Sequence, residues 1–315
     1  MFDILAITTP IFLIIGLGYL AVMLRLFSKE QVKGLGGFVI NFALPALIFR
    51  ALVQRPLDEI FNPVYLIAYG GGSALLFLGA WLFARQRGKP IGESSILALG
   101  LSTSNSGFIG YPIAVMVVGS SAAVALALSM VVENLLMIPA ALAIAEAGRQ
   151  QGASFLTALR KTMSQLARNP ILIGISCGIL VAFSGIKIPL PLFKAIDMLA
   201  SASAPAALFV IGGTLYGLRI GGMLHDVSPV VLGKLVLHPL LILVMLWWLP
   251  PIDAALATAA VVLASAPMLS VYPILGQRYG HGESCTASLM LATLLSFVTI
   301  SGLLWILEAY PAALS

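Results

Sequence analysis

Residues 100–112 read Gly-Leu-Ser-Thr-Ser-Asn-Ser-Gly-Phe-Ile-Gly-Tyr-Pro, in the middle of an otherwise apolar run over 93–118. About 20 mostly apolar residues make a membrane-crossing helix, because lipid offers the backbone no hydrogen-bond partner. This run is long enough to cross, yet its centre carries hydroxyls, an amide, glycines and a proline. Proline removes a backbone donor and crowds the preceding turn, and glycine favours an open chain. The composition therefore predicts an unwound segment over Ser104–Pro112. At that depth irregular backbone survives only where protein or water surrounds it.

A second stretch, Ser265-Ala-Pro-Met-Leu-Ser-Val-Tyr-Pro273, has the same character and is expected to unwind too. A fixed register relates the two. Pro10 and Pro170 are 160 residues apart, as are Pro45 and Pro205, and Pro112 and Pro273 are 161 apart. Neighbours agree as well: Pro45-Ala46 with Phe49 matches Pro205-Ala206 with Phe209, and Tyr111-Pro112-Ile113 matches Tyr272-Pro273-Ile274. The chain reads as two copies of one unit, a first repeat over 1–150 and a second over 165–310.

Working outward, ten stretches qualify as spans, at about 4–24, 34–53, 63–84, 93–118, 121–145, 170–184, 191–218, 228–249, 253–277 and 284–307. The fold class is thus all-α integral membrane, with five spans per repeat. Five is odd, so the second copy enters the membrane from the opposite face. Such inverted repeats recur in secondary transporters, and the inversion predicts that the breaks in spans four and nine cross near the midplane. The run Ile4–Leu24 lacks the basic start and cleavage site of a removable signal peptide and reads as the first span.

Composition agrees. Of all residues 60% are hydrophobic and 9% charged, against roughly 25% charged in a soluble domain. Lys and Arg gather on the cytoplasmic side of short connections. Of the 17 basic residues, 13 fall on one side (Arg25, Lys29, Lys33, Arg85, Arg87, Lys89, Arg149, Arg160, Lys161, Arg168, Arg219, Lys234 and Arg278) and four on the other (Arg50, Arg55, Lys187 and Lys194). This bias puts the odd-numbered connections in the cytoplasm and both chain ends outside. The basic residues are scattered singly, which argues against a nucleic-acid surface. Cys177 and Cys285 show no metal or redox spacing, and no metal or cofactor is expected.

Each broken span supplies a new helix N-terminus carrying roughly half a positive charge, so the crossing suits a carboxylate. The candidate substrate-binding residues are Asn105, the hydroxyls Ser102, Ser104 and Ser106, and Gly107 and Pro112 of the break. Ser265, Pro267, Ser270 and Pro273 join them from the opposite half. Tyr111 and Tyr272 either line the crossing or pack beside it. A single break would read as a kink, since Gly and Pro are common in membrane helices; two symmetry-related breaks point to a site.

Three ionisable residues are candidates for coupling. Glu133 lies mid-span, where a charged acid costs about 2.5–3.5 kcal/mol on insertion scales. It either exchanges a proton during transport or locks helices together as a hydrogen-bonded acid. Lys234 and His238 share a helix face at i, i+4 spacing. Lys234 is placed near the cytoplasmic end, where a lysine can snorkel to the headgroups. His238 is either a titrating group or a satisfied interior histidine. The acids Asp58, Glu59, Asp226 and Asp253 fall in connections.

These features resemble the auxin efflux carrier family, which includes bacterial permeases for malonate-like substrates and plant auxin exporters. Asn41-Phe-Ala-Leu-Pro-Ala-Leu-Ile-Phe49 looks like the family's second-span motif, and Asn105 followed by Gly110-Tyr-Pro112 like its crossover motif, where the Asn contacts substrate. Lys234 ahead of Pro239, Ala266-Pro267 and Gln277-Arg-Tyr-Gly280 are also similar. The resemblance adds Asn41 and Pro45 to the candidate substrate-binding residues. It implies a fold like bile-acid symporters and sodium/proton antiporters: a scaffold from helices 1, 2, 6 and 7, a moving core from helices 3–5 and 8–10, an elevator movement and a homodimer. Residues 146–169 are short where plant members carry a long loop, which implies a bacterial inner-membrane protein. Met268 and Ser270 stand where a sodium site would want stronger oxygen ligands.

The sequence reading is a secondary transporter, an efflux carrier of small organic anions such as carboxylates, with possible proton coupling. The alternative is a sodium-coupled symporter of the bile-acid type; a channel or receptor ranks lower. An enzyme is not expected, because no His-Glu-x-x-His pair occurs and the chain has only three histidines.

Overall fold

The computed structural model describes residues 2–54, 62–149, 168–186, 188–217 and 224–309. Arg55, Asp58, Glu59, Arg160, Lys161, Lys187 and Arg219 lie outside the described residues, as does most of the connection over 146–169. The described residues form helices and no strands. In chain order these are α1 (Phe2–Met23), α2 (Lys29–Val53), α3 (Pro63–Gln86), α4 (Ile91–Ser102), α5 (Tyr111–Val118) and α6 (Ser121–Gly148). There follow α7 (Pro170–Ser184), α8 (Leu190–Leu215), α9 (Val227–Trp248), α10 (Ala254–Ser265), α11 (Tyr272–Gln277) and α12 (Gly282–Ala309).

Among the described residues, seven helices or helix runs could cross a membrane by length and composition: α2, α3, the run from α4 through α5, α6, α8, α9 and α12. Shorter apolar helices lie at Thr9–Met23, Pro170–Ser184 and Ala254–Ser265. The outer surface is apolar too: Leu180, Met198 and Trp248 are among many large side chains left exposed, a pattern that suits lipid rather than water.

Polar caps start several of these helices. Ser28 accepts from the Gln31 N–H while the Gln31 side chain accepts from the Ser28 N–H, a reciprocal capping box that opens α2. Asn62, Asn169 and Asp253 cap α3, α7 and α10 in the same sense.

Four prolines leave a specific mark. Ahead of Pro45, Pro112, Pro139 and Pro239, the N–H of Leu44, Tyr111, Ile138 and His238 bonds the carbonyl five residues back, on Val39, Ser106, Glu133 and Gly233 respectively. A proline ring crowds the carbonyl four residues before it and offers no N–H, so the ladder slips by one residue into a wide, π-type turn. Such turns are frequent at functional sites. Here they hold Asn41, Ser106–Gly110, Glu133 and Lys234.

The first break is shorter than expected. Only Thr103–Asn105 leaves the helix; Ser106–Gly110 forms a wide turn and Tyr111 starts α5, with Pro112 in the first turn where its missing N–H costs nothing. The second break runs over Ala266–Val271, with Ser265 still helical and Tyr272–Pro273 already in α11.

The densest packing falls in two groups, with further contacts between them. In one, α1 is laid along α8 and α2 packs against α7 and α8. In the other group α3 packs on α4 and α9, α6 on α4 and α10, and α9 and α11 on α12. Small residues let helices approach closely in a membrane protein. A Cβ on Gly18 would sit 2.1 Å from the Phe209 carbonyl oxygen, and one on Gly212 only 1.8 Å from that of Ile15, so α1 and α8 touch backbone to backbone. We expect Gly212→Val to lower the thermal unfolding temperature in detergent, at a cost of about 1–3 kcal/mol or more from overpacking. Gly16→Ala, whose new methyl meets nothing within 4 Å, should unfold like the wild type.

Candidate functional site

The two breaks are hydrogen-bonded to each other. Thr103 is extended, which swings Asn105 out of the helical path. The Asn105 N–H then donates to the Pro267 carbonyl at 2.7 Å, and its Nδ2 donates to Ser270 Oγ at 2.7 Å. Its own carbonyl accepts from Ile109 and Gly110 at 3.1 and 3.0 Å, which starts the second half-helix. Asn105 is buried while Ser270 is half-buried.

Behind this junction lies a buried polar network. Glu133 Oε1 accepts from the Tyr69 hydroxyl at 3.0 Å, from Ser106 Oγ at 2.8 Å and from the Ser104 N–H at 3.1 Å. Its Oε2 is also buried and has no hydrogen-bond partner. Lys234 Nζ sits 2.6 Å from Ser104 Oγ, 2.6 Å from His238 Nδ1 and 2.9 Å from the Ala264 carbonyl. Three acceptors satisfy the three N–H bonds of an ammonium. With Nδ1 accepting, the ring proton belongs on Nε2, which lies 2.9 Å from Ser73 Oγ. Ser104 is the bridge, its backbone on the acid and its hydroxyl on the base. The base also bonds the last turn of α10, since Ala264 lies two residues before the second break.

The structure thus brings Ser104, Asn105, Ser106, Pro267 and Ser270 together with Glu133, Lys234 and His238. Lys234 is fully buried and does not snorkel; the wide turn ahead of Pro239 aims its side chain at the break rather than at the headgroups. The other candidates sit elsewhere. Ser102 and Ser265 hydroxyls bond carbonyls of their own helices, Ala98 at 2.9 Å and Val262 at 2.7 Å. Gly107 backs onto Leu44 and Met130, and Pro45 lies against Gly174 of α7. Pro112 is buried in the first turn of α5. Asn41 is exposed and bonds the Gly37 carbonyl one turn back. Pro273 lines a cavity of about 1120 Å³ between the start of α4 and the α11–α12 hairpin, with Lys89, Glu93, Gln277 and His281 among its walls.

Both tyrosines are buried. Tyr272 packs so tightly over Gly100 that a Cβ there would meet its ring at 2.5 Å, and the Tyr111 hydroxyl lies near Arg50. The sequence places α3 as a span, at 63–84, but none of its side chains is among the site candidates. Tyr65, Tyr69 and Ser73 recur at i, i+4 and i+8, a polar stripe on one face of an apolar helix, and that spacing was the available signal. Tyr65 bonds Ser129 at 2.8 Å. Among the described residues no cluster of three or more His, Cys, Asp or Glu could hold a metal ion.

A family model described as Membrane transport protein matches residues 4–306. The chain is 31% identical, over 323 aligned positions spanning 100% of it and 99% of the relative, to a Rhizobium meliloti (strain 1021) protein named "Putative malonate transporter". It is 24% identical to "Uncharacterized transporter YfdV" of Escherichia coli (strain K12) over 65% of this chain and 67% of the relative. It is 27% identical to the "Lysosomal cholesterol signaling protein" of Mus musculus over 64% of this chain but 24% of that longer protein.

Removing one member of a buried, hydrogen-bonded acid–base pair strands the other, at a cost of about 3–5 kcal/mol, whereas removing both can approach neutrality. Glu133→Gln and Lys234→Met should each lower the unfolding temperature, and the double variant should recover much of the loss in a double-mutant cycle. Additive losses would dissolve the coupling through Ser104.

Proposed function

The chain belongs to the auxin efflux carrier family, and from that premise we propose that it is a secondary active transporter exporting small organic anions, carboxylates foremost. The Rhizobium meliloti relative carries malonate in its name, so malonate is the first substrate to try. The observation that carries the reading is the bond from the Asn105 N–H to the Pro267 carbonyl, which joins two interrupted spans inside an apolar protein. In this reading the substrate carboxylate meets Asn105 and the open amides of the half-helix that begins at Ser106.

The finer architecture belongs to the same proposal. Ten spans form two inverted five-helix repeats over 1–150 and 165–310, with both chain ends on the outer face of a bacterial inner membrane. The two packing groups support a scaffold of α1, α2, α7 and α8 and a core of the remaining helices that moves as an elevator. Alternating access then carries the crossing from one side to the other, in a protein that works as a homodimer. Glu133 is the proton carrier, because it touches the break through Ser104 and Ser106 and keeps one oxygen unpaired. The sodium-coupled reading has less support, since the Lys234 ammonium already fills the acceptors beside the crossing.

Proteoliposomes provide the test. Malonate flux should saturate, and Asn105→Ala should cut it roughly tenfold or more, as expected for losing a hydrogen bond to a charged group. Glu133→Gln should abolish the response to a pH gradient while malonate still binds. Flux that persists in Asn105→Ala removes that residue from the site. Flux that stops when choline replaces sodium favours the symporter.

A further inference from the structure

We infer that Arg50 is a second anion-receiving residue of the transport site, on the outer side of the crossing, and that Asp197 occupies it in place of a substrate carboxylate. The inference rests on the organic-anion reading and deepens it: the preferred substrates are short dicarboxylates.

Arg50 lies in the last turn of α2. Its guanidinium pairs with the Asp197 carboxylate of α8 and lies near the hydroxyl of Tyr111, the first residue of α5. α2 approaches the half-helix after the first break at two points: the Leu44 side chain backs onto Gly107, and the Arg50 guanidinium lies near the Tyr111 hydroxyl. The Tyr111 backbone stands roughly a turn beyond the open amides at Ser106, by helix rise. The half-helix thus offers positive potential at its N-terminus and has a permanent cation beside its first turn. Lys194, one turn from Asp197 on α8, is the other described basic side chain on this side, and it is exposed.

Burial separates the partners. The Arg50 side chain is 23% exposed and that of Asp197 51%. An arriving carboxylate can replace Asp197 on the guanidinium fork without leaving a buried cation unpaired, and the released Asp197 returns to water. A guanidinium binds either carboxylate through the same kind of charge-assisted N–H···O bond, so the exchange costs little. Such an exchangeable internal acid keeps the site neutral when empty.

The repeat argues that the pair is not demanded by the fold. The offset of 160 that relates Pro45 to Pro205 maps Arg50 onto Val210 and Asp197 onto Gly37. The equivalent place in the other half carries no charge, so packing alone does not require the pair. A substrate with two carboxylates engages Asn105 with one and Arg50 with the other. A monocarboxylate uses only the first.

Calorimetric titration of the purified full-length protein with malonate and with acetate tests this. The wild type should bind malonate about tenfold tighter than acetate or better, and Arg50→Gln should lower malonate affinity to the acetate level while acetate affinity barely moves. Asp197→Asn, which removes the internal competitor, should tighten malonate binding several-fold. If Arg50→Gln does not fold, Arg50→Lys, which keeps the charge and loses the fork, should lower the malonate-to-acetate ratio. A ratio unchanged in the Arg50 variants, or weaker malonate binding in Asp197→Asn, reduces the pair to a tie between α2 and α8 and overturns the inference while leaving the transport reading intact. A wild-type protein that binds neither acid sinks both.

Discussion

Backbone freed from a helix inside an apolar protein must find a partner, since lipid supplies none and an unpaired amide there costs several kcal/mol. At Thr103–Asn105 the partners come from three directions. The Asn105 N–H goes to the opposite break at Pro267, the Ser104 N–H to Glu133, and the Asn105 carbonyl restarts the helix through Ile109 and Gly110. The polar centre is organised around satisfying this one interruption. It also explains why an acid is tolerated at mid-span: Glu133 accepts a backbone donor that would otherwise be stranded.

The acid in turn requires its base. Lys234 is fully buried, yet each of its N–H bonds has an acceptor, and one acceptor is the carbonyl of Ala264, two residues before the second break. A buried acid–base pair is weak evidence for stability, because desolvation offsets most of the attraction. Its value here lies in position. Ser104 joins Glu133 and Lys234, and Ser104 sits one residue from Asn105, so a change of protonation at either ion alters the hydrogen bonds of the residue next to the proposed substrate contact. Coupling between a proton and an anion needs a shared element of this kind, with both sites biasing one backbone segment.

Proline placement links the chain to this geometry. Pro112, Pro139 and Pro239 each force a wide turn just ahead of them, and those turns carry Ser106, Glu133 and Lys234. The prolines were legible, and so were the two interrupted stretches and their offset. The unwound length was over-read: a proline two residues into a new helix initiates it, so Tyr111–Pro112 ended the break instead of prolonging it. Lys234 was read from its distance to the membrane surface, whereas the slipped turn decides its direction. The α3 stripe of Tyr65, Tyr69 and Ser73 was visible in principle but lacked a charge or a break to draw attention.

The chain by itself determined that the protein is helical and membrane-embedded, that the apolar stretches over 93–118 and 253–277 are interrupted, and that an acid, a lysine and a histidine lie within apolar runs. These are consequences of local composition: hydrophobic length sets a span, and glycine and proline set where its hydrogen bonds fail. Which groups meet was decided by tertiary structure. That Asn105 bonds Pro267, that one serine serves both Glu133 and Lys234, and that Ser102 and Ser265 turn back on their own helices depend on how distant helices rotate and cross. Rotation about a helix axis is fixed by packing against neighbours far away in the chain, and no local pattern encodes it.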